Sequence, residues 1–133
     1  MDFRLKKQER IHKKNELKLL FEGGSSFLVH PFKVLYCVSP IAAEETNYPL
    51  KVAISIPKKR FKKAVDRNTL KRRSREAFRL NRNALKTTLN NKQIQLLLML
   101  IYVSDKPLKY AQIEDKIILI LRRLQEIHAK DNQ

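Results

Sequence analysis

The chain has 133 residues and a formal net charge of +16, from 29 Lys or Arg against 13 Asp or Glu. That length fits one domain with a single core, and an apolar content of 43% argues against disorder. The charge calls for a polyanionic partner; the longest apolar run, Leu96 to Val103, is too short to span a bilayer, and the lone Cys37 excludes an internal disulfide or a Cys-based zinc site.

Residues 1 to 14 carry charge without a clear period and are expected to form a mobile basic arm, leaving 15 to 130 as the single folded domain. They lack the apolar stretch of a signal peptide, so a cytoplasmic protein is expected. A first helix is predicted over Asn15 to Glu22, with Asn15 as N-cap and a stripe of Leu17, Leu20 and Phe21. Gly23-Gly24, the only glycines, stop it. Ser25 to Pro40 reads as a strand region interrupted at Pro31. Beyond it Phe32, Val34, Tyr36 and Val38 share one face, and Lys33, Leu35 and Cys37 the other.

A polar connection, Pro40 to Pro49, leads to a strand over Leu50 to Ile56 that Pro57 ends. A long basic helix is predicted from Val65 to Leu89, with Asp66 in its first turn, where a carboxylate suits the helix dipole, and Asn90-Asn91 as its breakers. Ile94 to Val103 is apolar on both faces from Leu96 onward, the pattern of a central strand covered on both sides. After a turn at Asp105-Lys106-Pro107, a last helix over Tyr110 to Ala129 places Ile113, Ile117, Ile120, Leu121, Leu124 and His128 at core spacing. The order gives an α+β domain with a small sheet.

The stretch from Lys58 to Arg82 holds twelve Lys or Arg against Asp66 and Glu76. At 100° per residue, Lys71, Arg72, Arg75, Arg79 and Arg82 fall within an arc of about 100°, with Asn68 inside it. Leu70, Ser74, Ala77, Phe78 and Leu85 occupy the neighbouring arc. One wall faces a core and one is cationic. Like charges at i,i+4 repel unless an anion lies between them, and guanidinium forks suit phosphate oxygens.

The order Ala64-Val65-x-Arg67-Asn68-x-x-Lys71-Arg72-x-x-Arg75-Glu76-x-Phe78-Arg79, after Ile54-Ser55-Ile56-Pro57-Lys58-Lys59, resembles the signature of the bacterial ribonuclease P protein component. Lys62-Lys63 stand where many members have Gly-Asn. The resemblance covers nearly the whole chain. It implies an α-β-β-β-α-β-α sandwich, like the second domain of a small-subunit ribosomal protein, with a small central sheet and a left-handed crossover at the basic helix. It also implies two partners, the RNA subunit of ribonuclease P and precursor tRNA, with no membrane and no obligate protein partner. Carried over by position, Lys58, Lys59, Arg60, Lys63, Arg67, Asn68, Lys71, Arg72, Arg75 and Arg79 face RNA. Leu17, Phe21, Val34 and Tyr36 line a cleft for the single-stranded 5′ leader, Leu17 replacing an aromatic common there. Mg²⁺ bound mainly by the RNA would carry out the hydrolysis.

The residues alone offer no catalytic constellation: no phosphate-cradling glycine loop, no paired-carboxylate motif, and His12, His30 and His128 without ligand spacing. Phe21, Phe32 and Tyr36 are either core residues or stacking platforms for bases. The alternatives are a ribosomal or other structural RNA- or DNA-binding protein, with Asn68 and Thr69 able to reach base edges. A membrane-surface helix is disfavoured by the narrow apolar stripe.

Overall fold

The computed structural model describes residues 5–11, 13–40 and 48–130. His12 and most of the Pro40–Pro49 connection lie outside them. The elements are α1 (Lys14–Gly23), β1 (Ser25–Val29), β2 (Phe32–Val38), β3 (Leu50–Ser55), α2 (Ala64–Asn81), α3 (Asn83–Lys92), β4 (Leu96–Tyr102) and α4 (Tyr110–Ala129). This is the expected α-β-β-β-α-β-α order with the basic helix divided in two. The sheet order is β1-β2-β4-β3, with β4 antiparallel to β2 and parallel to β3.

The doubly apolar run of β4 is explained by its central place. Leu96, Leu98, Leu100 and Tyr102 enter the main core with Phe32 and Val34 of β2, Leu50 and Val52 of β3, Leu70, Ala77 and Phe78 of α2, and the isoleucines of α4. Leu97 enters a smaller cluster on the other face with Ile11, Leu20 and Leu35. Each fully buried leucine or isoleucine is worth about 1.5–3 kcal/mol relative to exposure, so the larger cluster dominates stability. Pro31 follows a cis peptide bond in the turn between β1 and β2, with β1 an edge strand.

Four expectations are corrected. Residues 5 to 11 are no free arm. Leu5 is buried in the main core, a 3-10 turn follows at Lys7–Glu9, and Arg10 bridges Val52 in parallel while the Ile11 amide donates to the Val52 carbonyl at 2.9 Å. This strap seals the outer edge of β3. Secondly, Lys13 rather than Asn15 is the N-cap of α1, without a side-chain bond, and Asn15 falls in the first turn.

Thirdly, the basic helix ends at Asn81. The Asn81 amide donates to the Ala77 carbonyl, an alternative to continuing the helix, and Arg82 turns inward, 4% exposed, with Nη1 2.9 Å from the Glu9 carboxylate. Arg82 therefore leaves the cationic arc. Fourthly, Asn90 and Asn91 belong to α3, which stops at Gln93 in the left-handed conformation.

The two glycines differ in their duties. A Cβ on Gly24 would collide with the Leu20 carbonyl oxygen and lie 3.2 Å from the Tyr36 carbonyl oxygen, whereas one on Gly23 meets nothing within 4 Å. Gly24→Ala is expected to cost about 1–3 kcal/mol, because backbone must move. Gly23→Ala should stabilise by up to about 1 kcal/mol, because it sits in the last turn of α1 without φ strain. Thermal unfolding of the two variants checks both signs.

Candidate nucleic-acid interface

Helix α2 turns Leu70, Ser74, Ala77 and Phe78 into the core and leaves Lys71, Arg72, Arg75 and Arg79 outward or at the margin. Ser74 is fully buried and its hydroxyl donates to the Leu70 carbonyl, so it needs no partner outside the helix. The strap adds a cation that sequence reasoning missed. Arg10 lines a pocket of about 180 Å³ with Lys71, Arg75, Leu5, Ile11, Val52, Ala53 and Ile54. It lines a neighbouring one of about 210 Å³ with Leu5, Arg72, Arg75, Glu76 and Arg79. Burial, and then the Arg10 charge, push Arg75 below the usual arginine range. Only the strap's docking onto β3 brings these cations together, and nothing local in the sequence announces it.

The acids nearby are already engaged. Glu76 binds Arg79 through both carboxylate oxygens, and that bond, foremost, holds its carboxyl below the usual range. The pair takes Arg79 partly out of the wall. The remaining cations, set on one wall and repelling one another, can grip successive phosphates.

The expected residues of the preceding loop divide. Lys58, Lys59 and Lys63 are exposed, as are Asn68 and Arg72 on α2. Arg60 has Nη1 3.0 Å from Asp105. Arg67 turns back on the loop: its Nη1 donates to the carbonyls of Phe61 at 2.7 Å and Lys62 at 2.9 Å. It holds the loop's shape where Lys62-Lys63 replace the small pair, and only its remaining N–H groups can reach another partner.

The four cleft residues are not brought together. Leu17 packs on the smaller cluster and Phe21, 60% exposed, stands on the same helix. Val34 is fully buried on the opposite face of the sheet. Tyr36 packs there too, tilted against Phe27 and edge-on to His128. The reason is the two-residue period of a strand: α1 covers the Lys33, Leu35, Cys37 face of β2, so the neighbouring positions point away. The floor facing α1 is set by register. One row runs Leu28, Lys33, Ile101, Ser55; the next runs Ser26, Leu35, Met99, Ala53; the third joins Cys37, Leu97 and Lys51. Helix α1 lies over the third row, and the first, with Leu28 63% exposed and Lys33 exposed, stays open. Burial raises the Cys37 thiol above its ordinary range, as suits a packing residue.

A feature invisible in the sequence holds this arrangement. Lys51, on the floor, donates from Nζ to both carboxylate oxygens of Glu16 of α1 at 2.8 and 2.9 Å, and both side chains are 8% exposed.

Comparison with known proteins identifies the family and the fold. Residues 5–125 match the family model described as Ribonuclease P. A ribonuclease P protein component of Porphyromonas gingivalis is 36% identical over 104 residues, covering 78% of this chain and 74% of the relative. One from Nitrosococcus oceani is 34% identical over 76 residues, 57% of this chain and 59% of the relative. In fold, the chain resembles the RNase P protein of Staphylococcus aureus, with TM-score 0.64 and 24% identity over 86% of this chain and 94% of that one. It resembles that of Thermotoga maritima likewise, with TM-score 0.66 and 22% identity over 86% and 96%. With a family match over residues 5–125, from the strap into α4, the chain belongs to the ribonuclease P protein family, the protein components of the ribonucleoprotein that matures tRNA 5′ ends.

Proposed function

We propose that the α2 wall and the Lys58–Lys63 loop bind the RNA subunit of ribonuclease P, and that the open floor beside α1 holds the 5′ leader of precursor tRNA. The RNA subunit performs the hydrolysis with Mg²⁺. The observation that carries this reading is the wall itself: Lys71, Arg72, Arg75 and Arg10 converge while the nearest acid, Glu76, is bound to Arg79. Leu17 packs on the cluster that Met99 and Ile101 also join, with Phe21 exposed on the same helix, and Lys33, Leu28, Met99 and Ile101 stand in this reading where the sequence suggested Val34 and Tyr36. An apolar floor with one cation suits bases above and a phosphate beside them. Among the described residues no three His, Cys, Asp or Glu side chains gather to hold a metal. In this reading Mg²⁺ is held mainly by the RNA, and no step is assigned to a metal held by protein alone. Among the same residues no helix is long and apolar enough to cross a membrane, and the reading places the work in the cytoplasm without an obligate protein partner.

Purified protein alone is expected to leave precursor tRNA intact at any Mg²⁺ concentration, and to restore tight substrate binding when added to the RNA subunit. Cleavage at the mature 5′ end by nuclease-free protein would overturn the division of labour. Tyr36→Ala is expected to lower thermal stability while weakening precursor and mature tRNA equally in the holoenzyme. Phe21→Ala should weaken the precursor selectively. A precursor-selective loss with Tyr36→Ala would return that ring to the cleft.

A further inference from the structure

We infer that the Glu16–Lys51 ion pair is a positioning element that sets the gap between α1 and the sheet, and with it the preference for RNA bearing a single-stranded 5′ extension. The inference rests on the leader-cleft reading above and assigns a residue pair to its specificity.

A buried ion pair is a poor way to gain stability. The desolvation of two charges offsets their attraction, and well-packed apolar side chains of similar volume serve as well or better. Here the pair sits beside Leu97 and Cys37, in a cluster whose other members are apolar. Its distinctive property is direction. Two hydrogen bonds from one ammonium fix one geometry between the first turns of α1 and the start of β3, whereas contacts of Leu20 with Leu35 and Leu97 tolerate sliding.

The far end of α1 is fixed differently. Gly24 allows the backbone of that end to come close to the Tyr36 carbonyl on β2. A helix held at both ends cannot rock, and Leu17 and Phe21 lie between the two anchors. Leu17 packs on the same cluster as Ile101 of the open row Leu28, Lys33, Ile101 and Ser55, and Phe21 stands exposed one helical turn further on. The ion pair touches none of that row: Lys51 lies two register rows away, beneath the helix. Its influence on a ligand must pass through the position of α1.

The test replaces the pair as a whole in the reconstituted holoenzyme. Glu16→Leu with Lys51→Met keeps volume and removes direction. The double variant is expected to melt at or above the parent temperature and to bind the RNA subunit as the parent does. Its preference for precursor over mature tRNA should fall by about tenfold, roughly the worth of one stacked base. The exchanged pair, Glu16→Lys with Lys51→Glu, should recover part of that preference, which a purely structural role does not predict. Phe21→Ala separates the cleft from the pair that positions it. If the preference survives the apolar pair but falls with Phe21→Ala, the cleft stands and the positioning role is lost. If it survives both, the leader-cleft reading and this inference fail together.

Discussion

Glu9→Ala is expected to lower the free energy of unfolding by about 3–5 kcal/mol, a large effect for a residue so near the N-terminus. Glu9 is 4% exposed and its carboxylate lies 2.9 Å from Arg82 Nη1 and 3.9 Å from Lys86 Nζ. It also accepts from the Lys6 amide, closing the turn of the strap. Removing it leaves the Arg82 guanidinium buried at the α2–α3 junction with its counter-charge gone. Urea denaturation followed by circular dichroism measures the loss. Glu9→Leu with Arg82→Met removes both charges and should recover most of the stability. A loss within about 0.5 kcal/mol for Glu9→Ala would show the strap to be a surface feature.

The second large effect concerns RNA. Arg72→Ala with Arg75→Ala should leave folding nearly intact, since neither side chain enters the core clusters. Arg75→Ala also relieves the repulsion from Arg10. Affinity for the RNA subunit should fall by about two to four orders of magnitude, taking about 1.5–3 kcal/mol for one charge-assisted hydrogen bond from each arginine. The dependence of log K on log salt should flatten by about 0.7–0.9 for each phosphate no longer neutralised. Arg75→Lys should keep the slope and lose part of the affinity, because an ammonium lacks the guanidinium fork. A large drop in melting temperature with unchanged affinity would make these arginines structural and end the reading of α2 as an RNA wall. Arg10→Ala belongs in the same series: it should flatten the slope too, since Arg10 lines both pockets.

What is legible in the chain is what repeats locally. The last helix, Tyr110 to Ala129, matches α4 residue for residue because its isoleucines and leucines keep helical spacing to the end. The central strand shows itself by apolar residues on both faces. The face composition of β2 is also legible, since alternation needs no partner. Which face α1 covers is not: a period of two marks two faces without naming their neighbours, and Val34 and Tyr36 are placed on the wrong side for that reason.

The pairs that position the elements leave no trace either. Glu16 and Lys51 are 35 residues apart and each, read locally, is an ordinary surface charge. Glu9 and Arg82 are the same case, and because the Arg82 side chain turns inward, a stretch without Gly or Pro that promises one helix from Val65 to Leu89 gives two. The resemblance supplies the family and the wall. It does not supply the strap's charge, because Arg10 reaches Lys71 and Arg75 only through the pairing of Ile11 with Val52.

The strand order has a consequence for how the protein is made. Strands β2 and β3 never pair with each other; each pairs with β4, which lies between them. During synthesis, then, the ribosome releases the β1–β2 hairpin, β3 and the whole cationic helix before the strand that unites them exists. Until Leu96 to Tyr102 emerge, nothing holds α2 over a sheet, and a hairpin alone is marginal in water. The nascent chain thus exposes twelve closely spaced basic residues between Lys58 and Arg82 while still unfolded. Closure by a late central strand, with its long-range parallel pairing to β3, makes folding slow for its size and delays it until β4 has emerged. A fragment ending before Leu96 should accordingly stay unfolded, however much of the basic Lys58–Arg82 stretch it contains.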